Sequence, residues 1–309
     1  MSAKGGPKIL VTGAGGYVGA PTTRALVLDG CDVHVLGRLD PAVPGSTFHR
    51  ADLLQTVDLS ATIEEIGAET LLHLAWSVKP AKFWTDLANL DWTAASLRLF
   101  HAFAESGGKR IVGVGSCAEY DWSASPMTEF SSPVRPATLY GKAKANVWSL
   151  LEALGHQEGL SVAWGRLFFL YGPGEPPGKL VADAVNALLA GRRFLTTAGL
   201  QRRDFFYVED AGEALASLTL SSVVGPVNIA SGQGISVRTL LEHIEAATGT
   251  NDLIDFGARA LAEGEPLELV ADISRLRDEV GFAPKFSLAD GIARTVTWWR
   301  EKAAEGTSV

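Results

Sequence analysis

A tyrosine and a lysine stand four positions apart in the segment Tyr140-Gly141-Lys142-Ala143-Lys144. The hydrophobic pattern predicts a helix over residues 139–154, and side chains four apart share one face of a helix. Lowering the pKa of a phenol from ~10 to ~7 takes about 4 kcal/mol, and one cation about 4 Å away supplies roughly that at an effective dielectric constant near 20. Lys144 is therefore sufficient in principle to make Tyr140 a general acid–base at neutral pH, whereas Lys142 is interpreted as a solvated side chain.

Ser116 stands shortly after an apolar stretch, residues 110–114, that predicts a buried strand. Parallel α/β sheets bind ligands beyond the carboxyl ends of their strands, so Ser116 lies where a ligand is expected. A hydroxyl at this point can hold a substrate carbonyl against Tyr140. The alternative is a serine that caps its own turn at the end of the strand.

A glycine-rich turn lies between a predicted strand, residues 9–12, and a predicted helix, residues 18–28. It reads Gly13-Ala14-Gly15-Gly16-Tyr17-Val18-Gly19, which fits Gly-x-x-Gly-x-x-Gly but not the stricter Gly-x-Gly-x-x-Gly. Glycines at these positions let the turn close, let backbone N–H groups approach a pyrophosphate, and let the helix pack on the sheet. The position directly after the first strand favours dinucleotide binding over an ordinary glycine-rich turn.

The second predicted strand, residues 33–36, ends in Gly37-Arg38. An NAD site typically has Asp or Glu at this point for the adenosine ribose hydroxyls, whereas a guanidinium can clamp a 2′-phosphate with two charge-assisted hydrogen bonds. The sequence therefore favours NADP(H), with NAD(H) as the alternative. That alternative requires Arg38 to be a solvated surface residue or Asp40 to turn inward.

Short apolar runs alternate with amphipathic stretches through the first half of the chain. Strands are predicted at residues 9–12, 33–36, 70–74, 110–114 and 160–164, and helices at residues 18–28, 60–66, 84–105 and 139–154. This alternation predicts an α/β fold with a doubly wound parallel sheet of the Rossmann type, covered by helices on both faces.

The alternation loosens after Gly165, and the segment at residues 172–178, Gly-Pro-Gly-Glu-Pro-Pro-Gly, predicts a loop. Beyond it, helices are predicted at residues 180–190, 237–247 and 288–302, with another ending near residue 218, and strands at residues 205–208 and 227–230. We expect a dinucleotide-binding domain over residues 1–166, with a returning segment at about 203–231. A smaller, mostly C-terminal α/β substrate domain is expected over residues 167–202 and 232–309.

Composition excludes several classes of protein. The 309 residues carry a formal net charge of −8, which disfavours nonspecific binding to nucleic acid or anionic lipid. No apolar run approaches the ~18 residues of a membrane span. Two distant cysteines, Cys31 and Cys117, indicate neither a disulfide framework nor a zinc site. We expect a cytoplasmic globular protein without a metal site, a nucleic-acid partner or a membrane partner.

Several motifs follow one another along the chain. They are residues 12–19, Asp52-Leu53, His73-Leu74-Ala75, Ser116, Tyr140 with Lys144, residues 171–174, Arg203-Asp204-Phe205, residues 228–232 and Trp298-Trp299-Arg300. Together they resemble the extended short-chain dehydrogenase/reductase family, in its branch of nucleotide-sugar epimerases, dehydratases and reductases. The resemblance covers nearly the whole chain.

The resemblance implies a catalytic triad of Ser116, Tyr140 and Lys144. It implies cofactor contacts from Tyr140, Lys144 and a further set: Gly13, Gly15, Gly16, Tyr17, Val18, Gly19, Arg38, Asp52, Leu53, Leu74, Ala75 and Trp76. Substrate contacts are implied for Ser116, Cys117, Ala118, Tyr140, Phe169 and Arg203, with Arg203 at a diphosphate. The family also forms homodimers through the helix at residues 84–105 and the helix that carries Tyr140.

The chain departs from the family at positions that bear on the reaction. Dehydratases of the family carry an Asp–Glu pair directly after the serine or threonine, and those positions here are Cys117 and Ala118. Neither can supply the acid and base that removal of water requires, and Cys117 is interpreted as a packed thiol. Phe169 and Trp92 replace asparagines, the first of which usually touches the sugar-nucleotide diphosphate.

These departures favour an NADPH-dependent reductase of a nucleotide-linked keto sugar, such as a 4-keto-6-deoxy sugar. An NAD-dependent nucleotide-sugar 4-epimerase with the same triad is the alternative. A cofactor-sensing regulatory protein without turnover is a third hypothesis, which the intact Ser116, Tyr140 and Lys144 disfavour.

Overall fold

The described part of the chain contains one large sheet, two smaller sheets and the helices that cover them. The computed structural model describes residues 5–80, 82–123 and 125–305. Its strands are β1 Lys8–Thr12, β2 Asp32–Gly37, β3 Ser46–Arg50, β4 Thr70–His73, β5 Arg110–Ser116, β6 Ser161–Leu167, β7 Phe169–Tyr171, β8 Phe194–Thr196, β9 Arg202–Tyr207, β10 Gly225–Ile229, β11 Gly234–Ser236, β12 Ile254–Phe256 and β13 Glu268–Leu269. Its α-helices are α1 Gly19–Leu28, α2 Ser60–Ile66, α3 Ala88–Glu105, α4 Leu139–Glu158, α5 Leu180–Leu189, α6 Val208–Leu220, α7 Val237–Thr248 and α8 Leu288–Ala304.

The large sheet has seven strands in the order β10-β6-β5-β4-β1-β2-β3, and every pairing is parallel. The chain enters at β1, continues outward to β3, and then returns to β4 on the other side of β1. A crevice therefore opens beyond the carboxyl ends of β1 and β4, where open α/β sheets bind ligands. This arrangement confirms the predicted doubly wound Rossmann-type sheet.

Helices cover both faces of the large sheet. On one face, α1 and α6 bury Leu26 and Leu215 against strand residues such as Val35. On the other face, α2, α3 and α4 bury Leu99 and Leu151, each fully inaccessible to solvent. Strands that are buried on both faces read as continuous apolar runs, which is why the sequence pattern identifies them.

The smaller sheets belong to the later part of the chain. Strands β7, β9, β11 and β13 form one sheet, β8 pairs with β12, and α5, α7 and α8 bury a separate core around Val185, Leu240 and Val296. The predicted returning segment at about 203–231 is divided between the sheets. Its first strand, β9, pairs in the four-stranded sheet, whereas β10 is an edge strand of the large sheet and α6 packs against that sheet. The predicted division into two domains stays a prediction.

Two local differences from the predicted elements have simple causes. Helix α3 begins at Ala88 instead of residue 84, because the Asp86 carboxylate accepts a hydrogen bond from the Ala88 N–H (3.0 Å) and starts the helix there. Strand β3 was not predicted, because this edge strand is partly exposed and carries mostly polar residues. Among the described residues, no helix is long and apolar enough to cross a membrane.

Candidate active site

The glycine-rich turn brings the start of α1 to the carboxyl edge of the large sheet. Gly13 has φ of +77°, and a side chain there would come within 2.6 Å of the Ala75 backbone nitrogen. A Cβ at Gly19 would lie 1.9 Å from the Gly13 carbonyl oxygen. Both positions therefore require glycine, and no side chain caps the N-terminus of α1. The positive end of the α1 dipole beside this turn favours an anion such as a pyrophosphate.

A cavity of about 360 Å³ runs along this edge between the ends of β1, β2 and β4. Most of the predicted cofactor residues line this cofactor cavity: Gly13, Gly15, Gly16, Arg38, Asp52, Leu53, Leu74, Ala75 and Trp76. Trp92 lines it as well, and its ring stacks on that of Trp76 with centroids 6.3 Å apart. Tyr17 and Val18 line a neighbouring cavity instead, and Gly19 lies in the first turn of α1.

The charged groups at the end of β2 differ in how they are held. Arg38 is exposed and lines the cofactor cavity. The Asp40 carboxylate accepts a hydrogen bond from the Ala42 N–H (2.8 Å), an arrangement that closes its own turn. Asp52 is held similarly by the Leu54 N–H (3.0 Å). Arg38 lines the cofactor cavity and Asp40 does not, so the guanidinium is the charge at the end of β2 that a ligand in this cavity would meet.

Ser116 and Tyr140 meet beside a second cavity of about 410 Å³, here called the substrate cavity. Ser116 ends β5, and its hydroxyl accepts a hydrogen bond from the Ala118 N–H (3.2 Å), so the serine caps its own turn and also faces Tyr140. Tyr140 is buried near the start of α4, which Thr138 caps by accepting from the Gly141 N–H (3.1 Å). The structure thus brings the serine and the tyrosine to one wall.

Lys144 lies behind this wall, one helical turn after Tyr140. Its ammonium donates to the Val114 carbonyl oxygen (2.8 Å) and lies 3.8 Å from the ring centroid of Trp76, which lines the cofactor cavity. Burial lowers the pKa of Lys144 to about 7. Helix α4 therefore presents Lys144 toward the cofactor cavity and Tyr140 toward the substrate cavity.

The pKa of Tyr140 moves in the direction opposite to the expectation. Burial raises it above the ordinary value of a phenol, and the hydroxyl of Ser116 only partly offsets this effect. The expectation that Lys144 lowers the pKa of Tyr140 toward neutrality is wrong for this structure, because burial disfavours the charged form of both side chains. Tyr140 is therefore protonated at neutral pH.

The residues that follow Ser116 are packed in the interior. Burial raises the pKa of the Cys117 thiol to about 12, as expected for a packed thiol. Ala118 is buried behind the substrate cavity against Phe83 and Tyr140. The Glu119 carboxylate accepts hydrogen bonds from the Ser116 N–H (2.8 Å), the Trp164 indole N–H (3.0 Å) and the Arg166 guanidinium (2.8 Å). Glu119 thus positions Ser116 and is held by three internal hydrogen-bond donors.

His73 is held in a similar way at the end of β4. One ring nitrogen lies 2.7 Å from the Thr12 hydroxyl, and the other lies 2.8 Å from the Ser96 hydroxyl. Burial is the main reason that the pKa of His73 falls to about 3. The imidazole is therefore neutral and ties β4 to β1 and α3.

The substrate cavity is mostly apolar and aromatic. Besides Ser116, Cys117 and Tyr140, its walls include Tyr17, Val18, Phe83, Trp84, Phe168, Phe169, Glu175, Lys179, Arg203, Phe205 and Glu265. The rings of Phe83 and Tyr140 meet edge to face with centroids 5.0 Å apart. Sequence reasoning missed Glu175, Lys179 and Glu265; the loop at residues 172–178, which precedes α5 and carries Glu175, was the available signal.

Arg203 lies where the substrate is expected, but its charge is already engaged. The guanidinium pairs with the Glu265 carboxylate, donates to the Arg202 carbonyl oxygen (2.8 Å), and lies 5.6 Å from the ring centroid of Phe169. Only 5% of the Arg203 side chain is exposed. The predicted contact between Arg203 and a diphosphate would therefore compete with an internal ion pair.

Comparison with known proteins identifies the family. Residues 9–230 match the model of the NAD dependent epimerase/dehydratase family, and the chain belongs to that family. It is 28% identical to the UDP-glucose 4-epimerase of Azospirillum brasilense over 95% of this chain and 92% of that protein. It is also 28% identical to the dTDP-glucose 4,6-dehydratase of Streptomyces griseus over 95% of this chain and 94% of that protein.

Solved structures show the same fold. The UDP-N-acetylglucosamine 4-epimerase of Methanobrevibacter ruminantium has a TM-score of 0.86 at 24% identity, with 96% of this chain and 99% of that chain covered. The UDP-glucose 4-epimerase of Thermus thermophilus, solved as a complex with NAD, has a TM-score of 0.82 at 24% identity, with 95% and 99% covered.

Proposed function

We propose that this protein is an NADPH-dependent reductase of a nucleotide-linked keto sugar, with a 4-keto-6-deoxy sugar as the expected substrate. The observation that carries the proposal is the placement of Tyr140 and Lys144 on one helix between two cavities. Tyr140 lines the substrate cavity, and Lys144 contacts Trp76 in the wall of the cofactor cavity. A reaction between a dinucleotide and a second ligand needs the two ligands to be held next to each other.

The residues of the cofactor cavity fit a dinucleotide. Gly15 and Gly16 are exposed beside the uncapped start of α1, which suits a pyrophosphate, and Arg38 suits a 2′-phosphate. When bound, the dinucleotide supplies the hydride that the carbonyl carbon receives. In this proposal Lys144 binds the nicotinamide ribose, and the tied carboxylate of Asp40 leaves Arg38 to select NADPH over NADH.

Tyr140 and Ser116 perform the proton chemistry in this proposal. The Ser116 hydroxyl holds the substrate carbonyl oxygen, and Tyr140 donates a proton to that oxygen as the alkoxide forms. The raised pKa of Tyr140 keeps the phenol protonated at neutral pH, which suits a proton donor. In the reverse reaction, an oxidation, the same tyrosine would accept the proton as a phenolate.

The neighbours of Ser116 argue against removal of water by this chain. A dehydration needs an acid and a base at adjacent sugar carbons, and the positions of the family's Asp–Glu pair hold Cys117 and Ala118. Glu119 is clamped by Arg166 and Trp164 and does not line the substrate cavity. Reduction of an existing ketone requires no further acid–base pair.

Mass spectrometry of the reaction products tests the proposal. We expect the purified protein to consume NADPH with a nucleotide-linked 4-keto-6-deoxy sugar, and the sugar to gain about 2 mass units, one hydride and one proton. A loss of about 18 mass units from the parent nucleotide-glucose, one water, would overturn the reductase proposal in favour of dehydration.

A nucleotide-sugar 4-epimerase that uses NAD is the second candidate. The epimerase name of the Azospirillum brasilense relative, which aligns along nearly its full length, favours it. The same Ser116, Tyr140 and Lys144 would then act in oxidation followed by reduction. Oxidised cofactor that copurifies with the protein would support the epimerase, whereas freely exchanging NADPH would support the reductase.

We further propose that the protein is a homodimer that pairs through α3 and α4. The helix pair and the segment that leads into it carry exposed leucines, with Leu87, Leu90 and Leu150 exposed by 72%, 55% and 51%. Apolar side chains on neighbouring elements are typical of an interface. Sedimentation equilibrium measures the mass in solution, and a monomer at micromolar concentration would contradict this proposal.

A further inference from the structure

The boundary between the cofactor cavity and the substrate cavity is closed in this structure. Among the described residues, none lines both cavities. Trp76 lines the first, Ser116 and Tyr140 line the second, and Lys144 lines neither. Hydride transfer needs the dinucleotide and the carbonyl compound to lie side by side. A side chain at the boundary therefore has to move before the proposed reaction can occur.

Trp76 is the side chain that forms this boundary. Its ring lines the cofactor cavity and packs against the buried cluster of Phe83, Ala118 and Tyr140. The Lys144 ammonium lies 3.8 Å from the centroid of the same ring, and Lys144 is only 5% exposed. The ring therefore separates the cofactor cavity from Tyr140 and Lys144, the two residues that the proposed reaction requires.

Three side-chain contacts hold the Trp76 ring in this position. Its indole N–H donates to the side-chain oxygen of Asn89 (2.9 Å). The ring also stacks on that of Trp92 and meets the Lys144 ammonium. The segment at residues 74–79, which follows β4 and carries Trp76, is in neither helix nor strand. Rotation of the ring would therefore break side-chain contacts and leave the large sheet intact.

We propose that Trp76 is a positioning residue that controls access of the nicotinamide half of the dinucleotide to Lys144 and Tyr140. Gly15 and Arg38 hold the adenosine half while the ring stays in place. The ring leaves the Lys144 ammonium for the nicotinamide half alone, and the ammonium then donates to the ribose hydroxyls instead. This inference rests on the proposed function, because it assumes a dinucleotide in the cofactor cavity.

Calorimetric titrations with a whole ligand and a half ligand test the inference. The ligands are NADPH and adenosine 2′,5′-bisphosphate, which lacks the nicotinamide half. We expect Trp76→Ala to tighten NADPH binding by about 2- to 30-fold, because the contact between the ring and the ammonium no longer has to be broken. The affinity for the bisphosphate should not change. Trp76→Phe keeps a ring but loses the N–H that Asn89 accepts, so it should tighten NADPH binding by a smaller factor.

Reductive methylation of lysines, mapped by tandem mass spectrometry, gives a readout that needs no cofactor. In the unmodified protein we expect Lys144 to react more slowly than Lys142, which is exposed on the same helix. Trp76→Ala should raise the rate at Lys144 toward that at Lys142, because removal of the ring opens Lys144 to the cofactor cavity. The rate at Lys142 should stay the same.

Trp298→Ala is the matched control. Trp298 lies on α8 outside the cofactor cavity, and its ring centroid is 6.0 Å from another lysine ammonium, that of Lys302. This substitution should change neither NADPH affinity nor the methylation of Lys144. An unchanged affinity for the bisphosphate in Trp76→Ala verifies that the fold and the adenosine half of the cofactor cavity persist.

The outcomes distinguish this inference from the proposed function. Tighter NADPH binding together with faster methylation of Lys144 would support the inference. Weaker or unchanged NADPH binding in Trp76→Ala, or unchanged methylation of Lys144, would overturn the role of Trp76 while leaving the reductase proposal intact. Absence of NADPH binding in the unmodified protein would overturn both the role of Trp76 and the proposed cofactor.

Discussion

Tyr140 lines the substrate cavity and Lys144 contacts Trp76 in the wall of the cofactor cavity, yet the two cavities differ in the segments that line them. The cofactor cavity is lined mainly by residues at the ends of β1, β2 and β4 and in the turns that follow them. The substrate cavity is shaped by side chains from segments far apart in sequence, including Phe83, Lys179 and Glu265. Backbone geometry is set by the fold, whereas side chains can change without changing the fold.

The two cavities also differ in how their charged groups are held. In the cofactor cavity, Arg38 is exposed, and the neighbouring carboxylate of Asp40 is held in its own turn. In the substrate cavity, Arg203 is paired with Glu265, and Lys179 acts at longer range on Glu175. The fold therefore forms the cofactor cavity from residues near the glycine-rich turn, whereas the charges of the substrate cavity come from residues far apart in sequence.

Removal of the Tyr140 hydroxyl should cause the largest loss of turnover. Tyr140→Phe deletes one oxygen and little volume, so cofactor and substrate should still bind. We expect kcat to fall by at least the ~100-fold that is typical of a lost general acid. Turnover of the keto sugar, with NADPH binding measured separately by fluorescence, checks this prediction. More than half of the activity remaining would mean that another group donates the proton.

Lys144→Met should affect both turnover and cofactor binding. The substitution removes the ammonium that donates to Val114 and faces Trp76. We expect turnover to fall and NADPH affinity to weaken by roughly 10-fold, the effect of one lost charge-assisted hydrogen bond. Lys142→Met is the matched control, since Lys142 is exposed on the same helix. Unchanged cofactor affinity in Lys144→Met would restrict its role to the substrate cavity.

The sequence predicted the local patterns of the site and did not predict the contacts between residues far apart along the chain. The turn from Gly13 to Gly19 and the pair Tyr140 and Lys144 are local patterns, and local spacing fixes which face they share. The ion pair of Arg203 with Glu265 and the clamp of Arg166 on Glu119 join residues far apart along the chain. Such pairings depend on tertiary packing, so sequence reasoning assigned Arg203 to a diphosphate and missed Glu265.

The pKa of Tyr140 is a second property that the sequence did not predict. A cation four positions away predicts a lowered value, but the phenol is buried and its pKa is raised. Spacing along a helix gives the distance between two groups and not their exposure to water. Desolvation is a property of everything packed around them.

Arg38→Ala tests the charge of the cofactor cavity alone. We expect the unmodified protein to bind NADPH more tightly than NADH. We expect Arg38→Ala to reduce the ratio of the two affinities by about 10- to 150-fold. Arg192→Ala is a control, because Arg192 is exposed on the loop after α5 and lies outside the cofactor cavity. Fluorescence titration of both cofactors provides the measurement. Equal affinities in the unmodified protein would contradict the assignment to NADPH.

The smallest effect is expected in the substrate cavity, from a change of pH. Burial raises the pKa of Glu175 from its ordinary 4.5 to about 8. The folded state then binds a proton that the unfolded state has lost, so the stabilising effect of this proton is complete below pH 4.5 and disappears as pH rises through about 8. The other carboxylates of the chain change the stability of the unmodified protein and of its variants equally, so their contribution cancels when the two are compared.

Glu175→Gln should remove this dependence, because an amide can still accept from the Ala182 N–H but does not ionise. We expect the difference in Tm between Glu175→Gln and the unmodified protein to grow by at least about 2 to 4 °C between pH 5 and pH 9, because one pKa unit is about 1.4 kcal/mol and about 1 kcal/mol shifts the Tm of a chain of this size by that amount. Glu152→Gln, on the exposed side of α4, should show no such growth. A constant difference across this range would mean that Glu175 is ionised in the folded protein throughout, and that Lys179 already has a full counterion.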